Sequence, residues 1–166
     1  MLKDIVAQCH VLIDSMTVEQ LTVALAALRR VGHDQGALGG PLGRLLGVEF
    51  TEFDDGRCTC SAEVSEHVWN PHQMAHGAFV YALVDYAMGG AVTSLLTDAE
   101  SRPVTLDVQI RYHRPARRGR LTASAHVVRR GGQIVTLAGA VKNEAEQLVA
   151  TATGSFHLRS ASKKRQ

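Results

Sequence analysis

One apolar stretch constrains what this chain can fold into more than any other feature of its sequence. Residues 77–96 read GAFVYALVDYAMGGAVTSLL and carry a single charge, on Asp85. An acid at the centre of a bilayer costs about 3 kcal/mol, and glycines weaken a spanning helix. No cluster of Lys or Arg flanks the stretch as a stop-transfer signal would. We therefore expect a soluble helix buried on most sides, with one carboxylate kept inside it and no membrane partner.

The length of the chain fits a single domain that can bury such a helix. It has 166 residues, of which 45% are hydrophobic and 20% charged, and these values exclude disordered and collagen-like classes. Its three cysteines, Cys9, Cys58 and Cys60, are too few and odd in number for a disulfide framework. The N-terminus lacks the basic start and cleavage site of a signal peptide. A reducing, cytoplasmic location is therefore expected.

Segments on both sides of the apolar stretch alternate between apolar and polar residues, as strands do. Residues 46–50 alternate into a turn at 54–56, and four side chains of the next segment face one way: Cys58, Cys60, Ala62 and Val64. Further strands are predicted at about 103–113, 120–130, 133–143 and 147–158. Short turns between them indicate an antiparallel sheet, which must cover the helix. The predicted fold class is α+β, an antiparallel sheet wrapped around a central long helix.

The N-terminal residues have a helical period instead. Apolar residues recur at helical spacing over 5–30, and Thr17–Gln20 fits a capping box that starts a second helix ending near Gly32. Five glycines within residues 32–43 predict a flexible connector. The chain is therefore divided into an N-terminal helical extension (1–40), one central domain (41–158) and a disordered basic tail (159–166).

Motifs around the apolar helix carry a resemblance to a known family. NPHQMAHG at 70–77 precedes Asp85 by eight residues, and YHRPARRG at 112–119 and LVATATG at 148–154 follow. Together and in this order, they make residues 42–158 resemble the hotdog-fold acyl-CoA thioesterases of the phenylacetate-degradation type. That family commonly has a second Gly after His-Gly, where this chain has Ala78.

The resemblance implies a hotdog domain that forms dimers, with acyl-CoA sites at the interface. Asp85 matches the acidic catalytic position, and Gly77 matches the backbone donor to the thioester carbonyl. Asn70 and Thr105 match positions that orient substrate or water. His76 matches a residue beside the reacting carbonyl. We expect no cofactor.

The chemistry of the residues agrees and adds a constraint. Gly77 begins a helix, where free N–H groups and the positive end of the dipole can polarise a carbonyl. Thioester hydrolysis also needs a carboxylate near the carbonyl carbon, as base or nucleophile. Asp85 lies eight residues further on, about 12 Å at 1.5 Å per residue. A site shared between Gly77 of one chain and Asp85 of its partner resolves this distance. It predicts a homodimer. Whether two dimers pair into a homotetramer cannot be read from the sequence, and the N-terminal helices are the segment that could govern it.

Each site residue also has a purely structural interpretation. Asp85 could be a buried acid whose hydrogen bonds fix the helix, and His76 could simply start that helix. Asn70 could bond its own loop backbone next to Pro71. Thr105 could be an ordinary strand residue.

Charge is distributed unevenly along the chain. Its net charge is +2, yet residues 102–130 hold eight arginines and one acid, a local charge of +7. Arginine forks suit the phosphates of coenzyme A, and Arg117, Arg118 and Arg130 lie in or beside predicted turns. Trp69 and Met74 are candidates to line an acyl pocket, for either aryl or fatty chains.

Other sites have less support from the sequence. Cys58 and Cys60 are separated by one residue on a predicted strand, whereas zinc sites favour two to four, so we expect no metal. Residues 1–40 hold three basic and four acidic groups. That balance does not fit contact with nucleic acid.

The leading hypothesis is thus an acyl-CoA thioesterase. Two alternatives stay open: a hotdog enoyl-thioester hydratase or dehydratase, and a non-catalytic acyl-CoA sensor. A hydratase would need a His paired with an acid, and His76 is the one histidine near the predicted site.

Overall fold

A computed structural model describes residues 2–31, 39–96 and 102–159 of the chain. Most of the predicted connector, residues 32–38, lies outside these ranges. So does the tail predicted at 159–166, apart from Arg159 at the end of the last strand.

The described residues form four α-helices, one short 3-10 helix and six strands. The helices are α1 (Leu2–Ser15), α2 (Val18–Val31), α3 (Gly40–Leu46) and α4 (Gly77–Thr93), with the 3-10 helix at Glu66–Val68. The strands are β1 (Glu49–Asp54), β2 (Arg57–Val64), β3 (Arg102–Tyr112), β4 (Gly119–Gly131), β5 (Ile134–Asn143) and β6 (Leu148–Arg159). All strand pairs are antiparallel, in the order β1-β2-β4-β5-β6-β3.

Helix α4 lies against the inner face of this sheet, chiefly on β2 and β4. Leu83, Val84 and Met88 have no exposed surface, as expected of a helix covered on most sides. A side chain at Gly90 would overlap the sulfur of Cys58, so the glycine lets helix and sheet approach closely. The predicted sheet wrapped around a long helix is confirmed. Among the described helices, none is long and apolar enough to cross a membrane.

Strand β2 presents its predicted apolar face to α4. Cys58, Cys60, Ala62 and Val64 are all buried. Burial raises the pKa of the Cys58 thiol to about 11 and raises that of Cys60 further. Both cysteines are therefore core residues that stay protonated at neutral pH.

Strand β3 is an edge strand with one irregularity. It pairs with β6 along one side and has no described neighbour on the other. Thr105 pairs with Phe156 and Asp107 pairs with Ser155, so Leu106 is an extra residue between two consecutive pairs. This arrangement is a β-bulge.

Helix α3 corrects the sequence prediction at the end of the connector. Residues up to Gly43 were expected to be flexible, and a strand pattern was expected from Leu46, but a helix spans Gly40–Leu46. Pro41 lies in its first turn, and Gly47 ends it with a φ of +70°. A proline at the start and a left-handed glycine at the end are the usual helix boundaries. The first strand therefore begins at Glu49.

The N-terminal extension forms the two predicted helices, α1 and α2. The capping box is present, because the Gln20 N–H donates to Thr17 Oγ1 at 3.2 Å and the Thr17 N–H donates to Gln20 Oε1 at 2.8 Å. Helix α2 contacts α3 and the 3-10 helix. Of its apolar face, Leu21 is half-buried, whereas Leu28 is exposed.

Candidate active site

The first turn of α4 leaves one backbone donor free. His76 is the N-cap, and its Nδ1 accepts from the Ala78 N–H at 3.0 Å. Its carbonyl oxygen accepts from the N–H groups of Phe79 at 2.9 Å and Val80 at 3.3 Å. The Gly77 N–H has no hydrogen-bond partner among the residues that the structure describes. The positive end of the helix dipole is therefore presented through Gly77 alone.

His76 therefore caps the start of α4, which is the purely structural role predicted as the alternative to contact with a substrate. Because Nδ1 accepts a hydrogen bond, the neutral ring carries its proton on Nε2. The ring is exposed, so this role does not exclude contact with a substrate.

Gly77 lines an open cleft of about 370 Å³, a size typical of small-ligand sites. Its walls combine apolar side chains with a few polar ones. They are Asn70, Met74, Ala75, Val80, Tyr112, His113, Arg114, Pro115, Ala116 and Val149. Of the residues predicted for the site, Gly77, Asn70 and Met74 meet here.

Tyr112 is a cleft residue that the sequence analysis did not identify. Its hydroxyl donates to the carbonyl oxygen of Gly77 at 2.9 Å, which ties the end of β3 to the start of α4. Burial raises the pKa of Tyr112, and Tyr81 raises it further, so the hydroxyl stays protonated and able to donate. The first position of the YHRPARRG motif was the available signal, but the contact depends on the tertiary fold.

Asn70 holds the loop that forms one wall of the cleft. Its Oδ1 accepts from the N–H groups of His72 at 2.9 Å and Met74 at 3.3 Å. The backbone N–H of Asn70 also donates to the Met74 oxygen at 2.7 Å. Asn70 therefore bonds the backbone of its own loop, as its purely structural interpretation predicted. This bonding still leaves the side-chain amide N–H groups of Asn70 unbonded within the described residues, on the cleft wall.

The other predicted binding residues do not line this cleft. Trp69 Nε1 donates to the Arg117 carbonyl oxygen at 3.1 Å, and Trp69 and Arg118 line a second cleft of about 340 Å³ beside α2. Arg117 and Arg118 precede the first residue of β4, whereas Arg130 lies near its last. At about 3.3 Å per residue, these two ends are about 40 Å apart. Within one subunit, Arg130 cannot share a ligand phosphate with the other two.

Asp85 lies in the middle of α4 and is half-buried. Its Oδ1 accepts from the hydroxyl of Thr105, on β3, at 3.0 Å. Burial raises the pKa of the carboxyl group, and the hydrogen bond from Thr105 partly opposes this shift. The structure therefore brings together Asp85 and Thr105, two of the predicted site residues, and gives them a direct bond.

Gly77 and Asp85 belong to one uninterrupted helix, eight residues and about 12 Å apart along its axis. Asp85 is not among the residues that line the Gly77 cleft. The chain thus holds two separate groups: the Gly77 N–H beside a cleft, and the half-buried Asp85 carboxylate. Edge strand β3 is bonded to both residues, to the Gly77 carbonyl oxygen through Tyr112 and to Asp85 through Thr105.

Comparison with known proteins shows that the chain is similar in sequence to thioesterases. Residues 72–150 match the family model of the thioesterase superfamily. The acyl-coenzyme A thioesterase PaaI of Escherichia coli is 29% identical over 115 residues, which cover 69% of this chain and 79% of that protein. The medium/long-chain acyl-CoA thioesterase YigI of Salmonella typhimurium is 26% identical over 131 residues, which cover 70% and 84% respectively.

A solved structure extends the similarity over most of the fold. A Bacillus halodurans protein crystallised with CoA is 29% identical and superposes with a TM-score of 0.77. The alignment covers 88% of this chain and 97% of that one.

Proposed function

Because this chain is a hotdog-fold relative of the acyl-CoA thioesterases, as its sequence motifs predict, we propose that it hydrolyses an acyl-CoA thioester to the free acid and CoA. The observation that carries the proposal is the Gly77 N–H. It is the one donor in the first turn of α4 without a described partner, and it opens onto a cleft. A half-buried carboxylate on the same helix supplies the second requirement of the reaction.

In the proposed mechanism, the thioester carbonyl oxygen accepts a hydrogen bond from the Gly77 N–H. Negative charge that develops on this oxygen is stabilised by the N–H and by the dipole of α4. The Asp85 carboxylate removes a proton from the water that attacks the carbonyl carbon. The tetrahedral intermediate then expels the CoA sulfur, which takes up the proton. Asp85 as the direct nucleophile is the other route, through an anhydride that water cleaves.

The two groups act on one carbonyl only if they come from different subunits. We infer that Gly77 of one subunit faces Asp85 of its partner, because 12 Å separates them within one chain. Edge strand β3 supports this pairing. It bonds both groups and exposes two apolar side chains, Val104 and Leu106. A dimer is then the smallest active unit.

Complementation between two inactive variants tests the shared site. Asp85→Asn removes the carboxylate, and Gly77→Pro removes the N–H. A purified heterodimer of these two chains, each with its own affinity tag, contains one intact site and one doubly defective site. We expect it to release CoA thiol at about half the wild-type rate per dimer, whereas each parent homodimer is nearly inactive. A heterodimer as inactive as its parents would contradict the shared site.

The pH dependence of hydrolysis tests the role of Thr105. Its hydroxyl stabilises the charged form of Asp85, so Thr105→Val should raise the pKa of that carboxyl group. The carboxylate is needed in its ionised form, so the acidic limb of the kcat/KM profile should move to higher pH. Thr105→Ser keeps the hydroxyl and should keep the wild-type limb. An acidic limb that is the same in all three proteins would contradict the contact with a catalytic carboxylate.

CoA binding is assigned to the loop before β4. Arg117 and Arg118 lie side by side there, and Arg114 lines the Gly77 cleft. We propose that these three meet the phosphates of CoA. Arg130 contributes only if another subunit brings it to the site, because of its position along β4.

The alternatives have less support. A hydratase pairs a histidine with an acid. Nδ1 of His76 is occupied by the helix cap, and Nε2 of His113, which lines the Gly77 cleft, is bonded to the Thr151 hydroxyl at 2.8 Å. A thioesterase releases free thiol, whereas a hydratase adds water to a crotonyl-type thioester. Measuring both products therefore separates the two reactions. A panel of aryl- and fatty-acyl-CoA thioesters assayed for thiol release separates an enzyme from a sensor, which would give flat background rates.

A further inference from the structure

Helix α1 has an apolar face that no other described residue of the chain buries. None of its residues is buried. Five large apolar side chains on or beside this face remain at least 46% exposed: Leu2, Ile5, Val6, Leu12 and Ile13. Helices of about 12–15 residues are marginally stable in water unless an apolar face is packed. With 14 residues, α1 is close to this marginal range, so packing of its apolar face would stabilise it.

The spacing on α1 identifies the kind of surface it fits. Leu2, Ile5, Cys9 and Leu12 follow one another at intervals of three, four and three residues, and we call these four residues the α1 seam. This interval pattern is that of the a and d positions of a coiled coil, which pack against an equivalent helix. Val6 and Ile13 lie next to the seam and widen it.

The polar residues of α1 argue against a lipid surface. The helix carries one basic residue, Lys3, and two acidic residues, Asp4 and Asp14. Helices that lie on anionic membranes are rich in Lys and Arg on the polar face. The seam therefore fits a protein helix better than a bilayer.

We propose that the α1 seam pairs with the α1 seam of a second copy of this chain. Helix α2 also exposes three large apolar side chains, those of Val18, Leu25 and Leu28. Helix α2 is held to the domain through α3 and the 3-10 helix, so the pairing joins whole subunits. It is separate from the edge of β3 and does not depend on the proposed activity. Together the two contacts would make a tetramer.

Cys9 gives this pairing a chemical probe. It lies at the midpoint of α1, so parallel and antiparallel pairing about a twofold axis both place it near Cys9 of the second copy. Cysteines whose Cα atoms are about 4.4–6.8 Å apart form disulfides. Cys9 is exposed, whereas Cys58 and Cys60 are buried.

The test is oxidation of the full chain with copper phenanthroline, which accepts the two electrons released when two Cys9 thiols form a disulfide. We expect a covalent dimer on a non-reducing gel, absent in Cys9→Ser and reduced at least severalfold in Leu12→Glu. Val11→Glu is the matched control, because Val11 is 71% exposed on the opposite side of α1 and should crosslink like the wild type. Light scattering without oxidant should show that Leu12→Glu, but not Val11→Glu, about halves the particle mass.

Three outcomes would overturn the pairing. Leu12→Glu and Val11→Glu could behave alike in both measurements. The wild type could fail to crosslink while its mass is that of the Leu12→Glu variant. Finally, the wild type could float with phosphatidylcholine–phosphatidylserine vesicles while Leu12→Glu does not, which would assign the seam to lipid.

Discussion

Replacing Asp85 by Asn is expected to lower kcat/KM for thioester hydrolysis by about 10²–10⁴-fold without lowering the Tm. The loss follows because an amide can neither take a proton from water nor attack the carbonyl. Stability should not fall, because burial raises the pKa of this carboxyl group above its value in the unfolded chain. Below the unfolded pKa the acid is neutral in both states and costs nothing. As pH rises through the folded pKa the ionised form destabilises the fold.

The Asn variant removes that ionisation and can still accept from the Thr105 hydroxyl. Its Tm at pH 7 should therefore equal or exceed that of the wild type, with thiol release measured on the same samples. Asp107→Asn is the matched control, because Asp107 is an exposed acid on β3, the strand that also carries Thr105, and is bonded to Ser155. It should keep wild-type turnover. A less stable but fully active Asp85→Asn protein would favour the interpretation of Asp85 as a helix-fixing residue.

Gly77→Pro is expected to reduce kcat by about 10²–10³-fold, the usual cost of one lost donor to a developing oxyanion. Proline is well tolerated in the first position of a helix and removes the N–H at that position only. The preceding residue suits a proline, since His76 has φ −61° and ψ 139°, in the extended region that prolines require before them. The variant should therefore fold.

Gly77→Ala controls for the added bulk. Its Cβ would lie 3.3 Å from the Tyr112 hydroxyl, a close contact that proline shares, but alanine keeps the N–H. The difference in kcat between the two variants isolates the donor, with circular dichroism to verify the helix in both. Equal losses in the alanine and proline variants would mean that crowding against Tyr112 matters and the N–H does not.

The fold could be predicted wherever a residue pattern maps directly onto local geometry. The alternation from Cys58 to Val64 gave the buried face of β2, and Thr17–Gln20 gave the capping box. Helix α3 was missed because its glycine density resembles a linker. Pro41 and Gly47, its two boundary residues, carried the opposite signal.

The site was predictable in its residue types and less so in its connections. The resemblance named both Asp85 and Thr105, but the hydrogen bond between them was not predicted. The Gly77 N–H is identified as free only when the hydrogen-bond partners of the other N–H groups in the first turn are known, and the sequence does not show those partners. Likewise, the distance between Arg118 and Arg130 follows from the length of β4, not from their shared charge.

The bulge at Leu106 has a consequence for what length changes this fold can accept. Thr105 and Tyr112 are seven positions apart, and an odd separation in a regular strand puts two side chains on opposite faces. The one extra residue restores the parity, so that Thr105 reaches Asp85 while Tyr112 reaches Gly77. Deletion of the bulge residue would leave a separation of six positions in a regular strand and keep both side chains on one face, whereas a deletion that leaves the bulge in place would turn one of them outward. The bulge, and not only the identity of the residues around it, therefore decides which length changes the site can accept.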